Sequence, residues 1–79
     1  MKIRTLIIED EPLARQTLRD FIADFAWLAL VGEAADGLSA TRMIDALEPD
    51  LIFLDVQIPE ISGLETLNRI RHQPSIVFT

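Results

Sequence analysis

The sequence predicts an α/β fold in which a parallel sheet is covered by helices on both faces. Short runs of β-branched and leucine residues alternate along the chain with segments of helical periodicity. Two of those runs end abruptly in acidic residues, and Pro12 and Pro49 fall where a helix would start and stop. Strands alternating with helices imply parallel pairing through right-handed crossovers.

Ile3 to Ile8 is short, rich in β-branched and leucine residues and closed by Glu9-Asp10-Glu11, the pattern of a buried strand. Pro12 suits the first turn of a helix, where its missing N–H would have no intrahelical partner. Ala14, Leu18, Phe21, Ile22 and Phe25 then recur at helical spacing, with Arg15, Arg19 and Asp20 off the stripe, so helix one should run to about Phe25. Leu28 to Ala34 reads as a second strand, ending at Asp36-Gly37, a pair that favours turns. A second helix takes Ser39 to Leu47, with Ala40, Met43, Ile44 and Leu47 on one side, before Pro49 stops it. Leu51 to Leu54 is apolar on both faces, as a central parallel strand should be. Gly63 to Arg71 is helical, with Leu64, Leu67 and Ile70 inward, and Ser75 to Phe78 begins a fourth strand, for an order βαβαβαβ.

With 79 residues the chain should form one domain, and a chain this short buries only about 60–65% of its unfolded surface. Hydrophobic residues at 49% and charged residues at 25% argue against disordered and fibrous classes. The net charge of −6, with seven basic residues scattered from Lys2 to Arg71, argues against a nucleic-acid surface and favours cations as ligands. Absence of cysteine excludes disulfides and thiolate metal sites and is compatible with a reducing compartment. The apolar stretch that includes Ala26 to Val31 is too short to span a bilayer, and Met1-Lys2 leads straight into a strand-like run. A cytoplasmic location and no membrane partner are therefore expected.

In open parallel sheets the ligand site lies beyond the carboxyl ends of the strands. Glu9, Asp10 and Asp55 all stand at such ends. If strands one and three are neighbours these acids come close together, which calls for a proton or a cation to compensate. Oxygen donors without histidine or cysteine favour a hard ion, and Mg²⁺ is the expected one. A carboxylate beside such an ion can attack phosphorus, which makes Asp55 the candidate acceptor of an aspartyl phosphate.

At this point the chain closely resembles the receiver domain of bacterial two-component response regulators. The segments that carry the resemblance are Leu6-Ile7-Ile8-Glu9-Asp10-Glu11, Gly32-Glu33-Ala34-Ala35-Asp36-Gly37, Pro49-Asp50-Leu51-Ile52-Phe53-Leu54-Asp55 and Pro59-Glu60-Ile61-Ser62-Gly63. The resemblance implies a flavodoxin-like doubly wound parallel sheet with strand order 2-1-3-4, in which Asp55 accepts phosphoryl from a sensor histidine kinase. It further implies Mg²⁺ held by Asp10, Asp55 and the main-chain carbonyl of Gln57, with Glu9 acting through water. The string Glu9-Asp10-Glu11-Pro12-Leu13-Ala14-Arg15 is most similar to receivers that precede a LytTR-type DNA-binding domain. DNA would then be reached only through an effector domain that this chain does not contain, and the chain would be a phosphoacceptor, not a turnover enzyme.

Receivers of this family run to about 120 residues, within ordinary single-domain size, whereas this chain ends at Thr79. Residues 1–79 are accordingly expected to be a truncated receiver. Thr79 falls at the family's switch hydroxyl position or, the favoured alignment, one residue before it. The lysine that contacts phosphoryl is absent, since Lys2 is the only lysine. An alternative function follows: a phosphorylation-incompetent fragment that self-associates through an open fourth strand.

Other assignments remain for single residues. Glu9-Asp10-Glu11 could simply complement the dipole at the start of helix one. Asp55 could be a strand-end cap, although its spacing to Pro59 and Gly63 argues against that. Gln57 cannot serve as the second acid of a haloacid-dehalogenase-type phosphatase, and the same absence weakens a Toprim-like nuclease. His72 is expected to be an ordinary imidazole near a helix end, Trp27 and the four phenylalanines core residues, and the arginines solvated surface.

Overall fold

The computed structural model describes residues 2–55 and 74–79. The expected helix Gly63 to Arg71 lies outside the described residues, as do Gln57, Pro59 and His72. Strand β1 (Ile3–Ile8) pairs in parallel with β2 (Leu28–Ala34) on one side and β3 (Leu51–Leu54) on the other, and β3 pairs in parallel with β4 (Ser75–Phe78). The order is β2-β1-β3-β4, the doubly wound arrangement expected.

Because successive strand residues point to opposite faces, the apolar runs Leu6–Ile8 of β1 and Leu51–Leu54 of β3 supply two cores. Leu6, Ile8, Ile52 and Leu54 pack with Ala34 on one face against Ala40 and Ile44 of α2 (Gly37–Leu47). Ile7, Phe53 and Leu28 form the other core with Ile22 of α1 (Pro12–Ala23). Each fully buried leucine or isoleucine contributes about 1.5–3 kcal/mol relative to exposure. Charge on β1 is confined to its solvated first half, where the Arg4 guanidinium donates to the carbonyls of Leu47 and Glu48 at the end of α2.

Both helices differ from expectation at one end. α1 stops at Ala23, two residues before Phe25, because the Asp24 and Phe25 N–H groups donate to Phe21 O and Ile22 O and tighten the chain into a turn. α2 begins two residues before Ser39: Asp36 is its N-cap, its carboxylate accepting the Ser39 N–H at 2.7 Å, and Gly37 is the first helical residue. Asp36-Gly37 is thus a helix start and not a turn with positive φ. A carboxylate that satisfies an orphan amide outweighs the local turn preference. At the other end Glu48 adopts a left-handed conformation (φ 45°) immediately before buried Pro49.

The aromatic residues are less buried than expected. Phe53 is in the core, but Phe21, Trp27 and Phe78 are exposed, at 49%, 53% and 52%. Phe25 instead makes edge-on contacts with Phe21 and Trp27 along the rim of the α1 face, with ring centroids 5.0 Å and 5.5 Å apart. Phe78 stands on β4 at the sheet edge.

β2 carries an irregularity with far-reaching effect. Thr5 pairs with Leu30 and Leu6 with Gly32, so Val31 is an extra residue, a bulge. Leu28 and Leu30 join the α1 core, whereas beyond the bulge Ala34 joins the α2 core. Gly32 is likewise on the α2 face, where an added Cβ would stand 3.1 Å from Leu47 Cδ1 and 3.2 Å from Leu6 Cδ1. The one-residue offset turns Glu33 to α1. There Arg19 grips it with two bonds, Nε to Oε2 at 2.7 Å and Nη2 to Oε1 at 2.8 Å, while Arg15 Nε lies 3.8 Å from Oε1. Arg15 and Arg19 are therefore paired residues, contrary to the expectation of solvated surface.

The Arg19 guanidinium holds the Glu33 carboxyl below its ordinary range, against the opposing effect of burial. A depressed acid stabilises the fold above its unfolded pKa, about 4.3, and that contribution disappears as pH falls through the lower folded value. Glu33→Gln should therefore lose about 0.5 kcal/mol at pH 7, the small figure reflecting solvent screening of a half-exposed pair. Urea midpoints should converge with those of the parent at acidic pH. A gap that is constant from pH 7 to below pH 4 would contradict the assignment.

Candidate functional site

The site is built by register. β1 and β3 end level with each other, Ile8 opposite Leu54. The hydrogen-bond ladder continues one step beyond, with Glu9 N–H donating to Ala34 O and Asp55 N–H to Ile8 O, each at 2.9 Å. The acids that follow the two strands are thereby fixed side by side. Ligand oxygens of Glu9, Asp10 and Asp55 all lie within 4.8 Å of one another, with Glu9 buried, Asp55 half-buried and Asp10 exposed.

The three acids before α1 divide their work. Glu11 is the N-cap, its side chain accepting the Leu13 N–H at 3.1 Å, so complementing the helix start falls to this residue. Glu9 accepts the Glu11 N–H at 3.1 Å, which ties down its carboxylate. Burial, and then hydrogen bonding and repulsion from Asp55 and hydrogen bonding from Asp10, push the Glu9 carboxyl above its usual range, with the Glu11 N–H partly opposing them.

Three convergent carboxylates with only oxygen donors fit a hard divalent cation. The shared negative charge is what such an ion would neutralise. Glu9, Asp10 and Asp55, each singled out from the sequence, are brought together here, whereas Gln57 lies outside the described residues. Arg15 is the contributor that sequence reasoning missed. Its Nη1 donates to Glu9 O at 3.0 Å and Asp10 O at 3.3 Å, so the loop bearing two of the acids rests on it. Arg15 lies off the apolar stripe of α1, as the fourth residue of the helix, which was the available signal.

Comparison with known proteins agrees with this geometry. The family model described as "Response regulator receiver domain" matches residues 5–79. The transcriptional regulatory protein BtsR of Escherichia coli K12 is 42% identical over 78 residues, covering 96% of this chain and 33% of that protein. The protein-glutamate methylesterase/protein-glutamine glutaminase of Trichodesmium erythraeum is 42% identical over 82 residues, covering 99% of this chain and 23% of that protein. Among solved structures, the response regulator domain of Thermotoga maritima CheB superposes with a TM-score of 0.90 at 32% identity, covering 99% of this chain and 60% of that one. The response regulatory domain of mrkE from Klebsiella pneumoniae gives 0.84 at 34% identity, covering 96% and 65%. The chain spans 33% of the length of the BtsR relatives, about a third.

Like charges held this close oppose folding when no cation is bound. Asp55→Asn should therefore stabilise the protein in chelator at neutral pH by about 1 kcal/mol, the scale of one close like-charge contact in water. For a domain this small that corresponds to a melting midpoint higher by about 4–8 °C. A midpoint equal to or below that of the parent would refute the repulsion inferred here.

Proposed function

The chain belongs to the response regulator receiver domain family, and from that membership we propose that Asp55 accepts a phosphoryl group from a phosphohistidine of a sensor histidine kinase. Receivers are phosphoacceptors and not turnover enzymes. The observation that carries the assignment to Asp55 is its place at the end of β3, with ligand oxygens of Glu9 and Asp10 from the end of β1 within 4.8 Å.

In the transfer, an Asp55 carboxylate oxygen attacks phosphorus. The new O–P bond forms as the P–N bond to the donor imidazole breaks, and the imidazole leaves with the electron pair. Asp10 and Asp55 would hold Mg²⁺ directly together with the Gln57 carbonyl, and Glu9 through water. Bound there, Mg²⁺ supplies positive charge where negative charge builds on the transferred group. Glu9, buried and tied to the Glu11 amide, presents its carboxyl group beside those of Asp10 and Asp55.

The output belongs to a longer protein. Its relative BtsR is named a transcriptional regulatory protein, which supports control of transcription through a DNA-binding domain. The resemblance of residues 9–15 supports the LytTR type for that domain. Among the described residues no helix is long and apolar enough to cross a membrane. A cytoplasmic location accords with a histidine-kinase donor.

A second reading, self-association, is supported by one feature. Among the described residues β4 is the outer strand of the sheet and carries Val77 and Phe78 at 42% and 52% exposure, an apolar strand of the kind that pairs with another chain. Sedimentation equilibrium over a range of concentrations should then show a dimer or larger species. A monomer throughout would sink this reading.

Incubation with acetyl phosphate and Mg²⁺ should raise the intact mass by one phosphoryl group. The gain should be absent in Asp55→Asn and in chelator. Equal labelling of Asp55→Asn would place the acceptor elsewhere.

A further inference from the structure

Three consecutive carbonyls of the loop between β1 and α1 accept hydrogen bonds from a single residue. Arg15 Nη1 donates to Glu9 O at 3.0 Å and Asp10 O at 3.3 Å, and the Arg15 main-chain N–H donates to Glu11 O at 2.9 Å. The Arg15 side chain is only 23% exposed, and its Nε lies 3.8 Å from Glu33 Oε1. Glu33 is itself fixed by the two-bond grip of Arg19, and it faces α1 because of the bulge at Val31.

We infer that Arg15 is a positioning residue for the acidic site: it ties the backbone from which Glu9 and Asp10 reach a cation. The inference rests on the reading of Glu9, Asp10 and Asp55 as a cation site. It makes no use of Arg15 as a charge. As a charge alone, a guanidinium beside the carboxylates would repel a divalent cation and weaken its binding.

The two roles of Arg15 therefore carry opposite signs. If Arg15 acts only through its charge, removing it tightens cation binding. If it positions the loop, removing it weakens binding although a repelling charge has gone. Partners one shell removed from a metal commonly change its affinity by about 10–100-fold. Because Arg15 holds backbone and not a ligating atom, the lower end, about tenfold, is expected.

The test is Mn²⁺ affinity, read by the electron paramagnetic resonance of the free ion, for the parent chain, Arg15→Met, Arg15→Lys, Arg19→Gln and Asp10→Asn. Arg15→Met should bind about tenfold more weakly, and Arg15→Lys, which can still reach one carbonyl, should recover part of the loss. Arg19→Gln breaks the stronger ion pair but touches neither carbonyl. It should lower the melting midpoint and leave Mn²⁺ affinity within about twofold. Carbonyl ¹³C shifts of Glu9 and Asp10, measured without ion, should move in Arg15→Met and not in Arg19→Gln.

Unchanged or tighter Mn²⁺ binding by Arg15→Met, with Asp10→Asn clearly weakened, would overturn the positioning role and leave the cation site standing. Failure of the parent to bind Mn²⁺, or binding by Asp10→Asn equal to the parent's, would overturn the cation site and this inference with it. Should Arg15→Met not fold, Arg15→Lys decides: parental affinity and parental carbonyl shifts together would defeat the role.

Discussion

Everything described depends on β1 being enclosed, flanked by β2 and β3 and covered on both faces. A strand in that position has to be apolar at nearly every residue, and Leu6, Ile7 and Ile8 are at most 1% exposed. Such a run can admit charge only where the sheet ends. Glu9 stands at that limit, close enough to the core to be buried and close enough to the rim to meet Asp10 and Asp55. The apolar strand and the acidic site are thus one constraint, since burial of the first determines where the second begins.

Position within the site is inherited from backbone hydrogen bonds. The Glu9 and Asp55 amides are rungs of the ladder, donating to Ala34 and Ile8, so the separation of their side chains is tied to the separation of strands. Repulsion among the carboxylates is consequently met during folding by sheet and core, before any ligand arrives. A cation entering such a place finds its oxygens already gathered, with little conformational entropy left to lose.

Much of this was legible in the sequence. The strands Ile3–Ile8, Leu28–Ala34, Leu51–Leu54 and Ser75–Phe78 have the bounds expected, because buried parallel strands leave short apolar runs with sharp edges. The meeting of Glu9, Asp10 and Asp55 followed from those edges once β1 and β3 were neighbours. Helix ends were less legible, as at Asp36, where a capping hydrogen bond decides between a turn and a helix start. The aromatic residues misled because apolar character says nothing of rim or centre: Phe53 lies on an inner strand, whereas Phe21 and Trp27 lie where the α1 face thins out. The partnership of Arg15 and Glu33 was unreadable for a different reason. Their pairing depends on an extra residue that leaves no mark in composition or periodicity.

The bulge at Val31 acts on parity. Whether a strand side chain faces α1 or α2 is an odd-or-even property, and one inserted residue reverses it for all that follows. Deleting Val31 would leave Leu30, Gly32, Glu33 and Ala34 in plain alternation, with Glu33 still toward α1 and Ala34 still toward α2, whereas flattening the bulge at unchanged length would turn the Glu33 carboxylate into the α2 core. This stretch of β2 can therefore exist at two lengths, with the bulged residue or without it, and what has to be kept is the place of Glu33 opposite Ile7, within reach of Arg19.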